Sequence, residues 1–315
     1  MEKKDERLST ILEPGQIEAS AVMPPFLHLP PSNLFDLRAA RLTQLAEGHA
    51  LGSYLRLVAT LCRIQQYLLD NPPSGLPVAE ARQRLCISHG LPPLAADSLV
   101  REGPWLAWLQ ALIDEVQPPE DGPLAEALRT LGQSDEAQRK GWGIALLSGQ
   151  YDAVPPALVP FIGAALQAAW ASWLLALPSQ ELKPGNSLAQ CPACGSPAMA
   201  GLVRNRGKHN GLRYLACSLC ACEWHVVRVK CVYCESSKDL RYTSLEDDRH
   251  APGKAPLRAE CCPGCETYLK HCYLENDAAG DALADDLASL ALDIRLDEEG
   301  FQRLAPNLML APGGS

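Results

Sequence analysis

The sequence predicts an α+β chain of several domains. An N-terminal all-α helical domain is followed by two tandem rubredoxin-like or zinc-ribbon-like β modules and a C-terminal helix. Three observations carry this. Apolar residues recur at helical spacing through the first half, with no strand pattern alternating with them. Eleven of the 13 cysteines lie between Cys191 and Cys272. Those eleven include four C-x-x-C pairs. The expected divisions are 1–185 for the helical domain, 186–228 and 229–276 for the two ribbons, and 277–315 for an acidic helix and tail.

The helical half justifies itself element by element. "SNLFDLRAARLTQLAEG" places Leu34, Leu37, Leu42 and Leu45 on one face, with Ser32 or Asn33 to cap it and Gly48 to end it. "LGSYLRLVATLCRIQQYLLDNPP" repeats Leu51, Leu55, Val58, Leu61, Cys62 and Leu69, and Pro72 and Pro73 stop it. Further helices are expected near 77–87, 94–117, 122–132 and 135–149. The uncharged run 153–178 has nearly the length of a membrane span. Pro155, Pro156 and Pro160 leave only Phe161 to Leu177 for a helix, which is mostly alanine. Trp170 and Trp173 sit inside it rather than at its ends as an interfacial belt would. Its stripe of Leu166, Trp170, Trp173, Leu174 and Leu177 marks a buried core helix, with no membrane partner. A polar connector, 177–190, follows.

The opening "MEKKDERLST" is charged and lacks a following apolar run, so no secretory signal is expected. The chain is therefore expected in the cytoplasm, where disulfide scaffolding is disfavoured. That leaves metal or redox chemistry for the thiols. Cys191/Cys194, Cys217/Cys220, Cys231/Cys234 and Cys262/Cys265 are spaced as two hairpins between paired knuckles. Each hairpin can present four thiolates to one tetrahedral ion, about 2.3 Å from each sulfur. A thioredoxin-type pair needs a βαβ scaffold and a helix start, and neither is present. An internal repeat fixes the register: Leu212 and Leu257 each stand five residues before a ligand, followed by Arg213 and Arg258. That selects Cys262 over Cys261. Cys222, Cys261 and Cys272 are then spare thiols, or substitute ligands. His225 and His271 read as strand residues, and Cys62 and Cys86 as small buried hydrophobes.

Each ribbon has too few residues for a core of its own. A structural tetrathiolate site contributes roughly 10–16 kcal/mol, so the metal would hold this half together. Four sulfurs alone admit zinc or iron. Saturated cages leave no open position for metal hydrolysis.

Charge disfavours nucleic acid. Residues 191–272 carry 12 Lys and Arg against 8 Asp and Glu, an excess that eight thiolates and two divalent ions cancel. Phosphate binding wants a strongly basic surface. One cluster, Arg204, Arg206, Lys208 and Arg213, is expected at the tip of the first hairpin, as a solvated turn or a docking patch. Phosphate loops, dinucleotide glycine fingerprints and serine elbows are missing. Asp247/Asp248 and Asp285/Asp286 read as solvated faces. The acidic stretch "DALADDLASLALDIRLDEEG" reads as one amphipathic helix with the stripe Leu283, Leu287, Leu290 and Ile294, packed on the protein or across a weak homodimer.

"GLRYLACSLCACEWHVVRVKCVYC", "CCPGCETYLK" and "DDLASLALD" closely resemble the formate dehydrogenase accessory protein family, FdhE, from about Cys191 to Asp293. The resemblance implies a non-catalytic cytoplasmic factor needed for active respiratory formate dehydrogenase. It would contact the catalytic subunit before export, and its C-x-x-C sites would hold rubredoxin-like iron, with zinc as the alternative. Carried over, one site is Cys191, Cys194, Cys217 and Cys220, and the other Cys231, Cys234, Cys262 and Cys265. Cys222 and Cys261 look like additions to the family pattern. They motivate a second expectation, a thiol or electron-transfer protein acting on the partner's cofactor centre. A zinc-ribbon nucleic-acid adaptor is the third.

Overall fold

Among the described residues, seven other helices share the first half of the chain with one that is apolar on every side. That central helix, α8 (Val159–Leu175), starts with Pro160 in its first turn, where the missing N–H costs nothing. By composition Pro156–Leu175 could cross a membrane, but 89% of its apolar window is buried inside the protein. A helix apolar all round needs neighbours all round. Here they are α2 (Gly52–Asp70), α5 (Leu106–Glu115) and α7 (Glu136–Leu147). Trp170 and Trp173, fully buried, meet with ring centroids 4.8 Å apart. The computed structural model describes residues 24–178, 182–185, 187–206, 209–245, 250 and 253–310, so the opening decapeptide and the Asp247/Asp248 pair lie outside the described residues.

The remaining helices are α1 (Leu34–Leu45), α3 (Glu80–Ser88), α4 (Ala96–Glu102) and α6 (Pro123–Gln133). The helix expected over 94–117 is two, α4 and α5. Gly103 stands between them at φ +89, a left-handed stop, and Pro104 follows. In α7, Asp135 and Gln138 form a reciprocal capping box.

The stripe expected on α1 holds at Leu34 and Leu42, which are buried, and at Leu45, which is half-buried, but not at Leu37. Leu37 is 55% exposed, whereas Phe35, Arg38, Ala39 and Arg41 are buried. The reason lies some 240 residues downstream. Arg41 reaches Asp285 at 2.5 Å and Asp277 at 2.6 Å, and Arg38 reaches Asp281 at 3.2 Å. The buried face of α1 is turned toward those carboxylates.

The cysteine-rich half forms one eight-stranded sheet, in the order β1-β4-β3-β2-β7-β6-β5, with β8 on β7. The strands are β1 (Leu27–His28), β2 (Ala198–Arg206), β3 (His209–Cys217), β4 (Glu223–Val226), β5 (Arg241–Thr243), β6 (Leu257–Cys262), β7 (Thr267–Tyr273) and β8 (Gln302–Arg303). The two hairpin systems, β2–β3–β4 and β5–β6–β7, join where β2 runs parallel to β7. At that seam Gly201 opposes His271, and any side chain on Gly201 would collide with the imidazole.

The C-terminal stretch is two helices, α9 (Ala282–Ala288) and α10 (Leu290–Glu298), parted at Ser289. The break changes the phase of the apolar stripe. Leu283 and Leu287 are buried, then Leu292 and Leu296, while Ile294 is 56% exposed. The first of them, α9, packs back onto α1, β2 and β7, while α10 lies against β8 and sets Leu292 and Leu296 beside Cys261 and Tyr268. Asp285 and Asp286 are not solvated. Asp286 is buried against Lys270 at 2.8 Å and Arg303 at 2.5 Å, and Asp285 pairs with Arg41. Period-based reading of a short acidic stretch cannot see cations that lie so far along the chain.

Candidate metal centres

Each C-x-x-C turn closes on itself in the same way. The amide of Cys191 bonds to the Ser196 carbonyl at 2.9 Å, that of Cys217 to Cys222 at 2.9 Å, and that of Cys231 to Ser236 at 2.8 Å. In all four turns the residue after the second cysteine has positive φ: Gly195 at 77°, Ala221 at 56°, Glu235 at 61° and Glu266 at 55°. This left-handed step folds the chain back so that both sulfurs of a turn point the same way. Three of the four steps are taken by residues with a Cβ, at a cost of about 1–2 kcal/mol each. The surroundings must over-determine them.

The hairpins then bring turns together in pairs. In the first cage Cys191 and Cys220 have their sulfurs 3.5 Å apart, and Cys194 and Cys217 3.4 Å. In the second, Cys231 and Cys265 are 3.7 Å apart, and Cys234 and Cys262 3.6 Å. Within each group all four sulfurs lie within 4.8 Å of one another. A disulfide would need about 2.05 Å. The edge of a tetrahedron with 2.3 Å metal–sulfur bonds is about 3.8 Å. The donor set and spacing therefore fit one tetrahedral ion per cage, and the same crossed pairing recurs in both.

Backbone donors finish the first cage. The amides of Leu219 and Cys220 each point at the Cys217 sulfur at 3.4 Å. In the second cage the Thr267 hydroxyl lies 3.0 Å from the Cys265 sulfur. Such contacts orient ligands and spread the charge of a thiolate set.

The two cages differ sharply in environment. All four cysteines of the first are buried. Its turns are also bonded to the helical domain. Leu94 donates to the Ala193 carbonyl and Ala96 to that of Cys194, both at 2.9 Å, while the Gln167 amide of α8 donates to Ser218 at 2.8 Å. In the second cage Cys231 and Cys262 are buried, Cys265 is half-buried and Cys234 is exposed. Tyr233, inside its first turn, is 63% exposed, and Val227 and Val229, just before Cys231 in the chain, are exposed at 67% and 56%, as is Tyr242 of β5 at 45%. A cavity of about 10 Å³ lies beneath this cage, room for about one water.

The other singled-out residues fall as follows. Cys261 faces Leu292 and Leu296 on the opposite side of β6 from Cys262, and burial pushes its thiol up to about 11. Cys272 is buried, its thiol also raised by burial. Cys62 is fully buried, but Cys86 is only half-buried. His225 lies on β4 and His271 on β7, outside both cages. His271 is wholly buried with both ring nitrogens unpaired, and burial drives its pKa down to about 3.

Of the basic cluster, Arg204 and Arg213 are held in ion pairs along the strands, while Lys208 and the Arg206 side chain lie outside the described residues. Arg204 pairs with Glu223 at 2.5 Å, and Arg213 is buried against Glu260 at 2.9 Å. Arg258, the repeat partner of Arg213, instead stacks on Tyr273 at 4.0 Å. Sequence reasoning also missed Lys270, which sits inside a ring of Asp286, Asp293 and Ser289. A lysine within an apolar strand flanked by acidic stretches was the available signal.

A helical domain keyed to two tandem four-cysteine ribbons in one sheet defines a two-cage ribbon protein. The chain belongs to the FdhE family. Family models match three consecutive stretches: the FdhE N-terminal region over 23–186, the central domain over 190–228 and the C-terminal domain over 229–310. A Pseudomonas putida protein called "Protein FdhE homolog" is 83% identical over 313 residues, covering 99% of this chain and 98% of the relative. "Protein FdhE" of Salmonella newport is 39% identical over 293 residues, covering 93% of each. The crystal structure of the FdhE protein from Pseudomonas aeruginosa superposes with a TM-score of 0.87 at 59% identity, covering 92% of this chain and all of that one.

Proposed function

We propose that this chain is a non-catalytic assembly factor for formate dehydrogenase. It acts in the cytoplasm and binds the catalytic subunit before export. The observation that carries this reading is membership of the FdhE family along the described chain, with both four-cysteine cages formed. Thirteen unbridged cysteines, eight of them in facing groups, suit a reducing compartment.

The eight ligands we assign are Cys191, Cys194, Cys217 and Cys220 in one cage and Cys231, Cys234, Cys262 and Cys265 in the other. Bound iron would supply a one-electron couple, whereas zinc would supply a structural clamp alone. We favour iron on the family resemblance. Within the chain, the work divides along 1–185, 186–228, 229–276 and 277–315. The helical domain grips the first cage through Leu94, Ala96 and Gln167. The second cage presents Val227, Val229, Tyr233 and Tyr242 to the partner. The same stretch of chain carries Arg228, Lys230, Lys238 and Arg241 against Glu235 and Asp239, with Lys230 paired to Glu235 at 2.5 Å, in a chain whose net charge is −9. The face thus suits a client segment with apolar and acidic side chains.

Capture of the catalytic subunit from cells by the tagged chain tests this. The wild type retains it, and V229D/Y233S loses it while keeping its circular dichroism. Equal capture by both variants, or none by the wild type, counts against the proposal. Metal analysis of anaerobically purified protein decides the ion: two irons per chain support the redox version, and two zincs exclude it.

A further inference from the structure

Arg213 reaches out of the first ribbon and into the second. It stands on β3, the strand that ends in the first-cage ligand Cys217, and is 2% exposed. Its guanidinium makes its hydrogen bonds elsewhere. Nη1 donates to both carboxylate oxygens of Glu260, at 2.9 and 3.0 Å. Nη2 donates to the Lys230 carbonyl at 2.7 Å and to that of Val227. These partners lead into the second cage along two separate stretches of chain. Glu260 lies on β6, the strand that ends in the ligand Cys262, and the Tyr242 hydroxyl of β5 donates to it at 2.8 Å. Lys230 immediately precedes the ligand Cys231, whose amide donates to Ser236 at 2.8 Å. The peptide leading into Cys231 is therefore held at both of its polar atoms.

The linker between the ribbons needs such a clasp. Val229 has φ +61°, a left-handed setting that a β-branched side chain tolerates badly. It is 56% exposed, so packing does little to fix it. A strained residue persists where its surroundings over-determine it, and the Arg213 fork holds a carbonyl on each side of this one. The internal repeat puts Arg258 at the corresponding place in the second ribbon. Its guanidinium stays within that ribbon, on the Tyr273 ring and the Ala255 carbonyl. The crossing belongs to Arg213 and not to the ribbon repeat.

Resting on the reading that the cages bind metal, we propose that Arg213 is a positioning residue of the second cage, supplied by the first ribbon. One planar fork ties the entry to Cys231 to the strand that ends in Cys262. Those two ligands come from different turns, so the fork sets how the two halves of the cage face each other. A cage with an exposed ligand, Cys234, thus draws rigidity from a buried ion pair. Lysine cannot stand in, because a single ammonium does not offer the fixed fork that meets a carboxylate and two carbonyls at once.

Anaerobic cobalt(II) loading of the full chain tests this. Chelator is added, and freed cysteines are alkylated and mapped by peptide over time. R213K keeps a charge for Glu260 and loses the fork. R213M/E260M removes both charges together, so that neither is left buried alone. In both variants the labelling rate of Cys231 and Cys234 should rise more than about tenfold over wild type, the scale of losing an outer-shell partner. Labelling of Cys191 and Cys194 should stay within about twofold of wild type, well below that scale. A merely structural role on β3 predicts the reverse, since Arg213 shares its strand with Cys217. In either variant, a rise below about tenfold at Cys231 and Cys234, or a comparable rise at Cys191 and Cys194, overturns the assignment while metal binding stands. A wild type that loads no cobalt overturns both readings.

Discussion

Buried titratable residues set the sharpest expectations at the scale of single side chains. His271 is held neutral, with its pKa near 3 against about 6.5 when unfolded. Below pH 6.5 the unfolded chain takes up a proton that the folded chain refuses, so stability falls as pH falls toward 3. By pH 5 this amounts to about 2 kcal/mol. H271L should flatten that slope in urea titrations between pH 7 and 5; an unchanged slope would show that the ring is not the acid-sensitive group. Asp286 has the opposite character. Arg303 and Lys270 outweigh burial and hold it near 2, so its contribution is full above the usual carboxylate pKa and is lost as pH falls through 2. D286A leaves Lys270 and Arg303 with less counter-charge in a buried ring. It should cost about 3–5 kcal/mol, read from denaturant midpoints. These groups also mark where sequence reading stops. Asp286 looks like a solvated acid because its partners Lys270 and Arg303 are 16 and 17 residues away, on strands whose arrangement the spacing does not reveal.

Elements were legible in proportion to how local their causes are. Pro72 lies within the segment it bounds, whereas the left-handed stop at Gly103, equally local, was not read and left α4 and α5 as one expected helix. The spacing of α2 alone shows that Leu55, Val58, Leu61 and Cys62 share a buried face. The knuckles were legible for the same reason, since a C-x-x-C turn is closed by its own backbone. The buried face of α1 was not, because Arg38 and Arg41 earn their burial from Asp277, Asp281 and Asp285. Nor was the parallel β2–β7 seam, which depends on a glycine accepting an imidazole. G201A should force the two hairpin systems apart and cost about 1–3 kcal/mol, with part recovered in G201A/H271A. Equal destabilisation with and without the histidine would show that the seam is not limited by that contact.

At the scale of the whole molecule, one cage is locked between helices and sheet and the other stands at the surface. The sealed cage carries hydrogen bonds from the start of α4 and from α8, so an ion bound there would support the helical domain as well as the ribbon. The open cage belongs mainly to its own hairpin, so an ion bound there would be the more accessible of the two. Chelator challenge of the fully loaded protein tests this directly, with metal release followed in time alongside hydrogen exchange mapped by peptide. One equivalent should leave first, with exchange rising across 229–245 while α8 and the first knuckles stay protected, and C234S should remove that fast phase. Release of both ions in a single phase, or a fast phase abolished by C217S rather than C234S, would contradict the division into a sealed and an open centre.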